Sequence, residues 1–123
     1  MPTILMIDDD KDFGGLVSTH FSGLGYIVAL AHSGKDGLAK AGALKADVIF
    51  LDMMMPDMNG IEVLRELRAS DETSDIPVIV ISGKYFDPGM SDLFTQESNF
   101  RAFVAKPVGL SILQQKVEAL LKK

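Results

Sequence analysis

Asp8 and Asp9 stand side by side behind one apolar run, Asp52 stands behind another, Ser82 closes a third, and Lys106 follows a fourth. Two ionised carboxylates about 4 Å apart repel by roughly 4 kcal/mol at an effective dielectric of about 20, so Asp8, Asp9 and Asp52 can share a site only with a cation among them. The donors are all oxygens and the chain has no cysteine. A hard divalent ion suits that set, magnesium or manganese, with waters and a phosphate oxygen filling the remaining octahedral positions. Lys106 supplies a further positive charge, and Ser82 a hydroxyl.

These residues meet only if the elements ahead of them are arranged to deliver them. Short runs rich in branched apolar residues at 4–7, 26–30, 48–51, 78–81 and 103–104 predict five buried strands. Between them, apolar residues recur at helical spacing: Phe13, Leu16, Val17, Phe21 and Leu24; Ile61, Leu64 and Leu67; Leu110, Leu113, Val117, Leu120 and Leu121. The alanine-rich stretch 38–44 and the short stretch 90–94 predict two more helices, the latter entered through Asp87 and Pro88. Strand alternating with helix predicts an α/β fold, a doubly wound five-stranded parallel sheet with right-handed crossovers. Ligands of such sheets sit beyond the carboxyl ends of the strands, where Asp8, Asp9, Asp52, Ser82 and Lys106 all fall. Asp10 and Asp12, just ahead of a helical run, are expected to serve its N-terminus.

Composition narrows the function classes. At 123 residues the chain is expected to form one domain, 1–123, with no segment left over for an output domain. A net charge of −5 argues against nucleic acid and anionic membrane as partners. Without cysteine there is no disulfide, thiolate metal site or cysteine nucleophile. The apolar start is too short for a signal peptide or a membrane span, so the expected location is cytoplasmic. His20 and His32 lack ligand spacing and are expected to be surface or half-buried. Met53 and Met55 are expected to pack, Met54 and Met58 to be exposed, and Tyr85 to be half-buried by its own helix.

These motifs resemble the receiver domain of two-component response regulators over essentially the whole chain. The resemblance rests on Asp8 and Asp9 after Ile4, Leu5, Met6 and Ile7; on Asp52 after Val48, Ile49, Phe50 and Leu51 and before Met55, Pro56 and Gly60; on Ser82; and on Lys106 with Pro107 after Phe103. It implies a flavodoxin-like (βα)5 fold with strand order 2-1-3-4-5 and Asp52 as phosphoacceptor. Mg2+, or Mn2+, would be positioned by Asp8, Asp9, Asp52 and the Met54 backbone carbonyl. Ser82 and Lys106 would contact the phosphoryl group, and Phe103 would stand at the switch position beside Ser82. The partners implied are a sensor histidine kinase or histidine phosphotransfer protein, and a downstream protein on the face of the fourth helix, fifth strand and last helix. The state implied is a monomer or a phosphorylation-dependent homodimer, catalysing its own phosphorylation and dephosphorylation. A cis bond before Pro107 is also implied.

Two departures are visible. Phe103 has no phenolic hydroxyl, and the stretch 83–101 is slightly long and lacks the usual glycine before the fifth strand. An alternative reading is a haloacid-dehalogenase-like phosphatase using Asp8 and Asp10, but Lys11, Asp12 and Phe13 stand where that family has a threonine or serine. A flavin carrier of the same strand order needs a hydroxyl-rich phosphate loop where this chain is acidic.

Overall fold

The computed structural model describes residues 2–53, 55, 57–82, 96–105 and 109–121. In chain order the described elements are β1 (Thr3–Ile7), α1 (Lys11–Gly23), β2 (Ile27–Ala31), α2 (Gly34–Leu44), β3 (Val48–Asp52), α3 (Gly60–Ala69), β4 (Val78–Ser82), β5 (Phe100–Ala105) and α4 (Leu110–Leu121). The strands form one parallel sheet in the order β2-β1-β3-β4-β5, the order implied by the resemblance to receiver domains. Every residue of β3 is buried because helices cover both faces, which is why its sequence is apolar up to Asp52.

Alternation along the central strands divides the core into two layers. Leu5, Ile7, Ile49, Leu51, Val78 and Val80 face α2 and α3, meeting Ala41, Val63, Leu64 and Leu67. Ile4, Met6, Val48, Phe50, Ile79 and Ile81 face α1 and α4, meeting Val17, Phe21, Leu113 and Val117. In this second layer the Phe21 ring packs on Phe50 with centroids 5.6 Å apart, and meets Tyr26 edge-on at 5.5 Å. Helix α2 lies so close to β1 that a Cβ on Gly37 would sit 2.6 Å from Ile7 Cδ1, so only glycine fits there. Among the described residues no helix is long and apolar enough to cross a membrane.

The helix starts follow from local chemistry. Asp10 caps α1, Ser33 caps α2, and Asn59 with Glu62 forms a reciprocal capping box on α3. At the far end of the sheet the buried Glu97 carboxylate takes Arg68 at 3.0 Å and Arg65 at 3.7 Å, tying α3 to the connection ahead of β5.

Several sequence expectations need correction. Leu16 is 60% exposed and Leu24 46% exposed, so the buried stripe of α1 is narrower than its apolar spacing suggested: Gly14, Val17 and Phe21. Strand β2 starts at Ile27 rather than Tyr26, because the Tyr26 N–H donates to Phe21 O and still belongs to the helix end, whereas the Ile27 N–H donates to Pro2 O in the ladder. Strand β5 runs from Phe100 rather than Phe103, and α2 starts at Gly34 rather than residue 38. Met58 is half-buried against the core rather than exposed. The expected helix at 90–94, the Asp87–Pro88 entry, Tyr85 and the bond before Pro107 lie outside the described residues.

Candidate functional site

The carboxylates are brought together by strand register. Ile7 of β1 pairs with Leu51 of β3, so the next residue on each strand, Asp8 and Asp52, leaves the sheet at the same level on neighbouring strands. These two strands flank the topological switch point, since β2 lies on one side of β1 and every later strand on the other. One oxygen each from Asp8, Asp9 and Asp52 lies within 4.8 Å of the others. Asp8 is 2% exposed and Asp52 6% exposed, while Asp9 faces solvent. With oxygens no more than 4.8 Å apart and an effective dielectric of about 20, Asp8 and Asp52 repel by at least on the order of 3 kcal/mol when both are ionised.

The donor set fits a hard divalent cation. All three groups are carboxylates, Asp9 is exposed, and their 4.8 Å span compares with roughly 4 Å across a magnesium octahedron. One oxygen of Asp8 also accepts the Asp10 N–H at 2.8 Å, which turns the chain and aims Asp9 back toward the cluster. Asp10 itself is committed elsewhere: its Oδ1 accepts the N–H groups of Asp12 and Phe13, each at 3.1 Å, at the start of α1. Asp10 therefore has the helix-capping role expected from its place ahead of α1.

The other expected site residues stand as follows. β4 ends at Ser82, paired with Ala105 of β5, and the pair Asp52 and Ile81 sets that strand beside β3. Phe103 pairs with Val80 and is half-buried against the core layer of α2 and α3. The Ser82 side chain, Met54 and Lys106 lie outside the described residues. His20 is half-buried, its Nε2 donating to Gln114 Oε1 at 3.0 Å, and His32 is exposed, as the sequence suggested.

Sequence reasoning missed Asp57. Its carboxylate accepts the Gly34 N–H at 2.9 Å and the Lys35 N–H at 3.1 Å, reaching across to the start of α2. Partners 22 and 23 residues away leave no local pattern to read. The Gly34 N–H first, and then that of Lys35, hold the Asp57 carboxyl below its ordinary value. A depressed folded-state pKa means that Asp57 contributes stability above its unfolded pKa and loses it as pH falls through the folded one. An NMR titration is expected to give the Asp57 carboxyl a lower midpoint in the folded protein than in the urea-unfolded chain; an equal or higher folded midpoint would contradict these contacts.

Comparison with known proteins agrees with the geometry. The family described as "Response regulator receiver domain" matches residues 4–118. Protein PilH of Pseudomonas aeruginosa is 32% identical over 121 residues, covering 98% of each chain. The DNA-binding dual master transcriptional regulator RpaA of Synechocystis is 35% identical, and the present chain spans 50% of its length; for AfsQ1 of Streptomyces coelicolor the values are 32% and 52%. Among solved structures, the chemotaxis protein CheY4 of Vibrio cholerae superposes with a TM-score of 0.91 at 26% identity, covering 98% of this chain and 99% of its own. A two-component response regulator from Clostridium difficile gives 0.89 at 25% identity, with 100% and 98% covered. An acidic cluster at the β1 and β3 exits, a sheet of order 2-1-3-4-5 and a family match over residues 4–118 lead to one conclusion: the chain belongs to the response regulator receiver domain family.

Proposed function

We propose that this chain is a phosphoacceptor in a two-component phosphorelay, taking a phosphoryl group from a phosphohistidine on a partner protein onto Asp52. The observation that carries the reading is the gathering of Asp8, Asp9 and Asp52 within 4.8 Å in a chain of this family. Asp52 closes a fully buried strand, so its carboxylate is held rigidly at the sheet end for attack in line with the phosphorus. The new bond joins an Asp52 oxygen to phosphorus while the phosphorus–nitrogen bond breaks, its electron pair leaving with the imidazole, which then takes a proton. Asp8, Asp9, Asp52 and the Met54 carbonyl would hold Mg2+, with Mn2+ as a substitute, and the ion supplies charge neutralisation for the phosphoryl oxygens. Lys106 and the Ser82 hydroxyl take the remaining oxygens, the lysine as a point charge and the serine as a donor.

The aspartyl phosphate adds negative charge where Asp8 and Asp52 are already buried, and Ser82 moves to meet it. Phe103, one strand over and half-buried, is the ring placed to follow, and its movement alters the face of β5 and α4 offered to a downstream protein. The donor is a sensor histidine kinase or a histidine phosphotransfer protein, the compartment is the cytoplasm, and residues 1–123 act as one receiver unit.

Incubation with Mg2+ and acetyl phosphate tests the reading. Intact-mass analysis is expected to show one added phosphoryl group, lost on alkaline treatment and absent when EDTA replaces Mg2+. No mass increase under saturating donor and Mg2+, or labelling that ignores EDTA, would overturn it.

A further inference from the structure

The segment 31–35, from the last residue of β2 into the first turn of α2, touches both acid-bearing loops. Ala31 O accepts the Asp8 N–H at 3.0 Å, and His32 Nδ1 donates to Asp8 O at 3.3 Å. Two residues on, the Gly34 and Lys35 N–H groups donate to the Asp57 carboxylate in the loop that follows Asp52. Gly34 is where that loop presses on the helix: a Cβ there would lie 2.8 Å from Met58 Cβ. The same loop is closed at its ends, where the Met53 N–H donates to Ile81 O at 3.3 Å and the Gly60 N–H to Met53 O at 2.8 Å.

Helix α2 does not need Asp57 to start. Ser33 already caps it, its hydroxyl accepting the Asp36 N–H at 3.1 Å. A carboxylate set on two further N–H groups makes charge-assisted bonds at the positive end of the helix. The start of α2 and the residues before it thus contact both the loop after Asp52 and the turn of Asp8. We propose that Asp57 is a positioning residue for the acidic site: through the start of α2 it ties the loop following Asp52 to the turn that carries Asp8 and Asp9. This inference rests on the metal reading given above.

Calorimetric titration with Mg2+ alone, run on the full chain, tests it alongside hydrogen exchange. Asp57→Ala is expected to weaken Mg2+ binding about tenfold, within the range by which a residue acting through intervening contacts changes a distant site. The Gly34 and Lys35 amides should exchange faster in that variant. Asp57→Asn keeps one acceptor oxygen and should recover part of the affinity. Arg68→Ala, which removes the contact to Glu97 at the far end of the sheet, should lower the thermal midpoint and leave Mg2+ affinity at the wild-type value. The inference is overturned if Asp57→Ala binds as wild type does, if Asn loses as much as Ala so that charge alone explains the effect, or if Arg68→Ala weakens binding equally. A wild-type chain that takes up no Mg2+ would bring down the metal reading itself, an outcome distinct from uptake that is indifferent to Asp57.

Discussion

Asp52→Asn is expected to abolish phosphoryl labelling while leaving the protein folded. The amide has the shape of the carboxylate but no anionic oxygen, and its neutral carbonyl oxygen is too weak a nucleophile to attack phosphorus, so the nucleophile is gone and the strand end is kept. Charge makes the folding half of this expectation specific. Asp52 and Asp8 are both buried, with carboxylate oxygens no more than 4.8 Å apart, and each makes further interactions, so the substitution trades relief of a carboxylate repulsion against a weakened partner of Asp52. In EDTA the variant should therefore melt close to the wild-type temperature. In saturating Mg2+ the wild type should melt higher, because it gains more from the ion. Intact-mass analysis after acetyl phosphate, with thermal melts in both buffers, checks the two halves separately. Full labelling of Asp52→Asn would assign the acceptor elsewhere, and a melt far below wild type in EDTA would mean that Asp52 is a structural carboxylate.

The parts of the fold that were readable were those set by local periodicity. Strands β1, β3 and β4 are buried on both faces and carry unbroken apolar runs, so the strands and their three polar exits are legible in the sequence. Asp10 was readable because a cap acts on N–H groups two and three residues ahead. The fifth strand was only half readable. A register shift lies where Val78 pairs with Phe100 and Ile79 with Ala102, leaving the exposed Arg101 between them. That irregularity turns Phe100 and Phe103 to the same core layer although they are three residues apart, which no alternating pattern reveals. Asp57 and Met58 belong to the same class of failure. Their partner is the start of α2, more than 20 residues away, and only the folded sheet brings it near.

Phe50→Ala is expected to cost about 3–5 kcal/mol, the range for emptying a fully buried aromatic site. Phe50 is 0% exposed in the middle of the sheet, and its ring is gripped by Phe21 from α1 and by neighbours on β1, β4 and α4. None of these can close the gap cheaply, because the strands on both sides are fixed by parallel ladders and Phe21 is itself held by Tyr26 and His20. Against a total stability of about 5–15 kcal/mol for a domain of this size, such a loss removes a large part of the margin. Leu16→Ala is the matched control: an apolar side chain on the same helical layer, but 60% exposed, and expected to change stability by no more than about 0.5 kcal/mol. Urea unfolding should show the Phe50→Ala midpoint sharply lowered with an unchanged slope, since the same surface is exposed on unfolding. The consequence reaches the site, because Phe50 shares a face of β3 with Asp52, and a cavity two residues below the carboxylate lets the strand end move. A loss below about 1 kcal/mol would mean that the α1 and α4 layer can collapse onto β3 and does not hold Asp52 in place.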